Sequence, residues 1–393
     1  MQIAINRDST KMIREFYINH FKSLVNFQIQ LDKLTCLIGL NGSGKSTILQ
    51  AIDFTTQLIK GHIEDWLKTR EWEPEDLLYF FEPDENIDFV IKLQFEKSFY
   101  SWRGEFNTNT LICPNEEIVN DTCGEILFKV ANRAYQIGNN PQKPIEFKYQ
   151  GSLLSILQDE VLTEELINIR DFLVSIKSID LLSPQLMRKR ARLADNDLGL
   201  GGEKLSAFLD DLSDDKKSQI NQLINEKFLP TFESIETTTL QAGWKKLSVI
   251  EKVFQENNRF ESKRLRTEAR QVSDGLLRLL AILSQMMTSH QTLLFDEIED
   301  GINPEIVEKL VDLLISTPQQ IIITTHSPIV LNYIEDEQAK RSVIFTYKNK
   351  QGITQQRPFF KIKGVAEKLD ILGPGEAMLD VSLNELAQEL SYD

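Results

Sequence analysis

Apolar and polar positions alternate along Phe16-Tyr17-Ile18-Asn19-His20-Phe21-Lys22-Ser23-Leu24 and again along Phe27-Gln28-Ile29. This period of two predicts a pair of strands joined by a turn within residues 13–30. The next run, Leu34-Thr35-Cys36-Leu37-Ile38, is apolar almost throughout and reads as a strand buried on both faces. Between about 86 and 150, short β-like runs at 89–95, 125–130 and 144–149 are separated by Asn, Gly and Pro, which predicts an antiparallel sheet. From 152 to 230 the period becomes helical. Leu205, Phe208, Leu209 and Leu212 form one stripe, Ile220, Leu223, Ile224 and Phe228 another, and Pro230 is the stop. These stripes are too short for a sustained coiled coil.

A strand-like stretch follows at 234–253, then a helix from Ser273. Two more apolar strands, Thr292-Leu293-Leu294-Phe295 and 320–325, alternate with helical segments. Such alternation predicts an α/β fold whose parallel sheet is covered on both faces. A hairpin pairing 343–347 with 352–354 ends the pattern, and no internal repeat or low-complexity tract interrupts it.

The first buried strand runs into Gly39-Leu40-Asn41-Gly42-Ser43-Gly44-Lys45-Ser46, a G-x-x-x-x-G-K-S loop followed by the helix-forming Thr47-Ile48-Leu49-Gln50-Ala51-Ile52. Glycines let successive amides of residues 41–47 curl round a phosphate, Lys45 reaches the β- and γ-phosphates, and Ser46 offers a hydroxyl to Mg²⁺. The positive end of the helix faces the same phosphate. Strand-loop-helix order is the context that gives the motif its weight, and it implies a nucleoside triphosphate, ATP with Mg²⁺, as the ligand.

The strand 292–295 ends in Asp296-Glu297, delivering two carboxylates to the carboxyl edge of the sheet, where α/β proteins bind ligands. Asp296 is placed to hold the Mg²⁺ shell, and Glu297 to polarise the water that attacks the γ-phosphate. Asp300 follows in Ile298-Glu299-Asp300-Gly301. The third strand ends in Thr325-His326-Ser327-Pro328, where a histidine can bond the γ-phosphate and sense its loss.

A formal net charge of −15 over 393 residues argues against general nucleic-acid coating, so any DNA contact is expected to be local. Two clusters qualify, Arg188-Lys189-Arg190 with Arg192, and Arg259, Lys263, Arg264, Arg266 and Arg270; both can equally be solvated faces or partners for carboxylates. Cys36, Cys113 and Cys123 show no C-x-x-C pairing, Met1 to Asp8 lacks a signal-peptide pattern, and no uncharged run approaches membrane-spanning length. A cytoplasmic protein with no membrane contact is the expectation.

On Phe21-Lys22-Ser23-Leu24, the loop from Gly39 to Thr47, Ser273-Asp274-Gly275-Leu276-Leu277-Arg278-Leu279-Leu280, Asp296-Glu297 and Thr325-His326-Ser327-Pro328, the sequence resembles the ABC-type ATPases. Within them it is similar to the soluble branch of RecF, the SMC heads and the overcoming-lysogenisation-defect (OLD) proteins. The resemblance implies a P-loop ATPase head with an antiparallel β subdomain and an inserted helical lobe. It divides the chain into 1–60 with the phosphate loop, 61–150 as the β subdomain, 151–232 as the helical lobe, 233–335 as the rest of the core, and 336–393 as a hairpin and tail packed on it. It also implies that two heads close face to face, Ser273 and Gly275 of one contacting the γ-phosphate held by Lys45 of the other. With one copy of each motif, a homodimer is the smallest complete unit, and a higher homo-oligomer fits equally. Asp274 and Leu276 stand where transporter-type signatures have Gly and Gln, a variant that looks like the compact OLD-like ATPases. Gln185 is the candidate for the Mg²⁺-binding glutamine, with Gln158 the alternative.

The implied function is an ATP-hydrolysing switch controlling a separate effector, a nuclease or toxin of antiphage defence encoded nearby. The alternatives are a RecF-like DNA-repair ATPase and, further off, a transporter motor. Only 67 residues follow His326, without acidic residues laid out as a nuclease metal site, so the chain is not expected to be a nuclease itself.

Overall fold

A computed structural model of the chain describes residues 11–81, 84–179, 182–255 and 258–391, with 254–262 as backbone alone. Met1 to Asp8 and the Arg259 side chain, both weighed in the sequence, lie outside the described residues. The strands are β1 (Lys11–Asn19), β2 (Phe27–Gln30), β3 (Leu34–Gly39), β4 (Asn86–Phe95), β5 (Ser98–Asn107), β6 (Ile112–Asn120), β7 (Glu125–Ala131), β8 (Ala134–Ile137), β9 (Lys143–Pro144), β10 (Ile176–Ile179), β11 (Phe232–Thr239), β12 (Lys245–Gln255), β13 (Asn258–Glu268), β14 (Thr292–Phe295), β15 (Gln320–Thr324), β16 (Val343–Lys348) and β17 (Thr354–Pro358). The helices used below are α1 (Lys45–Lys60), α2 (Ile63–Thr69), α3 (Glu164–Val174), α4 (Pro184–Met187), α5 (Leu205–Asp211), α6 (Asp214–Leu223), α7 (Asp274–Met286) and α8 (Pro304–Ser316).

The chain divides into two compact units, one of residues 1–178, 290–296 and 315–393, the other of 179–289 and 297–314. The first unit holds two sheets. One is antiparallel, in the order β2-β1-β4-β5-β6-β7-β8-β9; the other runs β10-β14-β15-β3-β16-β17. In the second sheet β14, β15, β3 and β16 are mutually parallel, and β17 returns antiparallel to β16. Every residue of β3, β14 and β15 is buried, which is why these strands read as unbroken apolar runs.

One hydrophobic cluster joins both sheets to α1 and α3: Ile13, Phe16 and Ile18 of β1, Leu37 of β3 and Ile322 of β15 meet Ile52, Phe54, Ile169 and Phe172. Phe54 of α1 packs at ring-centroid distances of 5.2 Å from both Phe21 and Phe106. Gln320 adds a polar stitch. Its amide nitrogen donates to the carbonyls of Ile13 and Asp32, and its oxygen accepts from the Ile13 amide and the Thr292 hydroxyl. A buried side chain with all these bonds made ties β1 of the antiparallel sheet to β14 and β15 of the parallel one.

The second unit sets β11-β12-β13 as an antiparallel sheet beside α4–α8. The segmentation differs from the sequence expectation in three places. The antiparallel sheet starts at β1 and β2, well before residue 61, because alternating Phe16, Ile18, Phe27 and Ile29 pack into the same core as β4. The helical segment after 151 is shared between the units, since the apolar stripe of α3 fills the first unit's core. The run 144–149 forms strand only at Lys143–Pro144: Pro144 cannot extend the ladder, and Ile145 turns its amide back to the Arg133 carbonyl.

Glu116 on β6 is fully enclosed, accepting from the Ser152 hydroxyl, the Leu153 amide and the Trp102 indole. Burial nonetheless raises its pKa from 4.5 to about 7. Since the folded chain keeps a proton that the unfolded chain has released, this contribution is complete below about pH 4.5 and is lost as pH rises through 7. We expect the melting temperature of the wild type to fall between pH 4.5 and 7, by the equivalent of about 3 kcal/mol at most, and Glu116→Gln to flatten that slope. An unchanged slope in the variant would show that Glu116 is ionised throughout.

Candidate nucleotide-binding site

In the first unit three adjacent parallel strands end side by side. β3 delivers the loop from Gly39 to Ser46, β14 delivers Asp296, and β15 delivers Thr324, Thr325 and His326. Helix α1 starts at Lys45, and Gly44 caps it in the left-handed region at φ 106°. A Cβ on Gly44 would stand 2.2 Å from Thr354 Oγ1, so glycine is required on two counts, backbone conformation and space. Asn41 and Gly42 form the exposed crest, Ser43 is buried against the Thr346 hydroxyl at 2.8 Å, and Ser46 and Thr47 are half-buried in the first turn of α1. Lys45, 5% exposed as a residue, donates its ammonium to the carbonyls of Gly39 and Leu40 at 3.0 and 3.1 Å.

Asp296 accepts from the Thr324 hydroxyl at 2.5 Å, which orients the carboxylate from the neighbouring strand, and His326 is half-buried. The donor set fits ATP and Mg²⁺. A left-handed glycine with no room for a side chain, a lysine within the loop, one hydroxyl and one oriented carboxylate are what a phosphate-bridged Mg²⁺ needs. No cluster of three or more His, Cys, Asp or Glu that could hold a metal by itself occurs among the described residues.

In the second unit Ser273 caps α7, its hydroxyl accepting from the Leu276 amide, and is exposed. Arg188 donates to the Val272 carbonyl and pairs with Asp274, fixing the helix entry. At Gly275 a Cβ would lie 2.5 Å from the Gly301 carbonyl oxygen, so the signature helix and the 297–301 loop are in direct backbone contact. Arg278 pairs with Asp300 across the same contact at 2.5 Å. Glu297, exposed, sits at φ 47°, a left-handed conformation that costs a non-glycine residue roughly 1 kcal/mol. Ser273, Gly275 and the 301–303 loop border a cleft of about 670 Å³. Gln185 is exposed on α4, which packs on α7; Gln158 is exposed in the first unit.

Two family models match the chain, "AAA ATPase domain" over residues 12–177 and "AAA domain, putative AbiEii toxin, Type IV TA system" over 153–332. An OLD nuclease of Thermus scotoductus is 30% identical over 109 residues, 27% of this chain and 19% of that relative's length. Among solved structures, the Smc head domain with an extended coiled coil bound to the C-terminal domain of ScpA, from Pyrococcus furiosus, shares the fold at TM-score 0.53 and 14% identity, covering 92% of this chain and all of that one. The SmcHead bound to the C-winged helix domain of ScpA gives 0.51 and 17%, covering 88% and 96%. The chain has the fold of an SMC head, and two ATPase-domain models match successive parts of it.

The sequence alone did not disclose the bed of the phosphate loop. Thr346 and Thr354, from the β16–β17 hairpin expected only to pack on the core, hold Ser43 and Gly44, and Ser23 completes the chain of hydroxyls by bonding Thr354 at 2.8 Å. The signal available was threonine at two inward positions of a late hairpin, too common a pattern to single out. The basic clusters are largely engaged by carboxylates: Arg190 and Arg270 with Glu268, Arg264 with Glu233, Arg266 with Glu236. Arg192 lies over the Trp244 ring. No helix of the described residues is long and apolar enough to cross a membrane.

Replacing Gly275 with Ala should lower stability by about 1–3 kcal/mol, because either backbone segment must yield to the added methyl. Urea unfolding of the two chains measures it; equal midpoints would mean the contact is loose.

Proposed function

We propose that this chain hydrolyses ATP as a switch whose nucleotide-dependent pairing controls a separate effector. One observation carries the reading: neighbouring strand ends bring the phosphate loop, the Thr324-oriented Asp296 and His326 to one edge of a fully buried parallel sheet. Lys45 and the loop amides would bind the β- and γ-phosphates, and Ser46 and Asp296 would hold Mg²⁺, which supplies charge neutralisation on the phosphates. Glu297 would take the proton of the attacking water, and His326 would bond the γ-phosphate. Gln185 stays our candidate for the additional Mg²⁺ ligand.

We place Ser273 and Gly275 against the nucleotide of a second copy, with Asp300 beside them, so that a homodimer is the smallest unit with two complete sites. The likeness to an OLD nuclease and to the family described as a putative AbiEii toxin supports an effector role in antiphage defence, with the nuclease or toxin on another polypeptide. A RecF-like role in DNA repair draws less support, because the arginines that suggested it are engaged in ion pairs. A cytoplasmic location accords with this reading.

Steady-state turnover and ATP binding test the assignment together. Lys45→Ala should abolish binding of Mg-ATP, whereas Glu297→Gln should bind it and turn over about 100-fold more slowly or worse. Undiminished turnover in Glu297→Gln would remove that residue from the chemistry.

A further inference from the structure

His326 stands in a turn that is fixed at both ends. Before it, Thr325 is fully buried, its amide donating to the Leu37 carbonyl of β3 at 3.1 Å and its hydroxyl accepting from the Ser327 amide at 2.9 Å. After it, Pro328 opens α9 (Pro328–Asn332), in which Val330 and Leu331 are fully buried. Only Ser327 separates His326 from that proline, whose ring locks φ at the helix entry. Little freedom is left to absorb a shift of α9, so His326 follows it.

The tail of the chain holds α9 in turn. The helix Pro374–Leu379 lies against it with Pro374, Gly375, Ala377 and Met378 buried. A Cβ on Gly375 would come within 2.2 Å of the Pro328 carbonyl oxygen and 2.3 Å of Asn332 Oδ1. Gly375 is not among the residues with positive φ, and alanine would suit a helix better, so the glycine serves the close approach alone. The tail helix is itself braced. The Gly373 amide donates to the Glu376 carboxylate at 3.3 Å before it, and the Lys368 ammonium donates to the Asp380 carbonyl and carboxylate at 2.6 and 2.5 Å after it. Upstream, the buried Phe359 ring packs 6.0 Å from Phe345 of β16, the strand that runs beside β3.

We propose that Gly375 is a positioning residue for His326: the tail helix, closing on α9 at a distance only glycine permits, sets where the histidine stands. This rests on the reading that His326 bonds the γ-phosphate, and it names what fixes that bond's geometry. A methyl group on residue 375 must displace the Pro328 carbonyl by roughly 1 Å, and a misplacement of that size can cost about 100-fold in rate. Lys45 and the phosphate loop are carried by β3 and α1 rather than by α9, so nucleotide binding is spared.

Steady-state turnover and calorimetric binding of Mg-ATP by the full chain test this. Gly375→Ala should keep the dissociation constant within about 2-fold and lower kcat about 10-fold or more. Where that variant does not fold, Gly375→Ala/Asn332→Ala replaces it, removing the side-chain half of the clash and keeping the half against Pro328. Met378→Ala takes buried surface from the same helix without adding an atom against α9; it should lower the melting temperature and keep the wild-type kcat. His326→Ala should slow turnover about 100-fold, and Gly375→Ala should add nothing to that loss, as expected of a residue acting through the histidine. Wild-type kcat in Gly375→Ala, an equal loss in Met378→Ala, or a full further loss on top of His326→Ala overturns the proposal. If His326→Ala turns over like the wild type, the γ-phosphate role of the histidine falls and the proposal with it; if His326→Ala alone is slow, that role stands and only the positioning by Gly375 falls.

Discussion

The structure turns on a volume constraint at Gly44. The phosphate loop must present its amides on one side while its other side is filled by Thr354, leaving no space for even a methyl group. Two residues far apart in sequence thus define one cradle, and folding of the loop depends on the hairpin that brings Thr354 and Thr346 to it. The parallel pairing of β16 with β3 makes that placement automatic, because β16 runs beside the strand from which the loop emerges.

The same sheet positions the other candidate groups. Strands buried on both faces have strongly specified register, since a slip of one residue would exchange faces throughout a packed core. Their ends are accordingly fixed, and Asp296 and Thr324 meet where β14 and β15 stop. In the second unit a different device operates: backbone contact at Gly275 and the Arg278–Asp300 pair join the signature helix to the loop that begins with Glu297. A displacement of either element is thereby passed to the other.

How much of this was legible depended on whether the signal was local. The phosphate loop, the carboxylates after β14 and the histidine after β15 each follow an apolar run that can only be a buried strand, so sequence and structure agree on where they stand. Helix α1 proved longer than the segment 47–52 read from the motif, because its buried face continues through Leu58 and Ile59 into the core. What stayed hidden was non-local: Gln320 looks like one polar residue at the start of an apolar strand until its partners from β1 are seen. The Thr346–Thr354 bed is equally invisible without the turn at 20–24. The basic clusters left two readings open for the same reason, their carboxylate partners being distant in sequence.

The central claim is that each working site combines the phosphate loop of one chain with the signature of another. Mixing two inactive variants, Lys45→Ala and Ser273→Arg, measures this directly, because mixed dimers would hold one site in which both halves are intact. The account predicts that the mixture regains about a quarter of wild-type ATP turnover per chain, as expected for random dimers. A mixture as inactive as either variant alone would contradict it and confine the chemistry to a single chain.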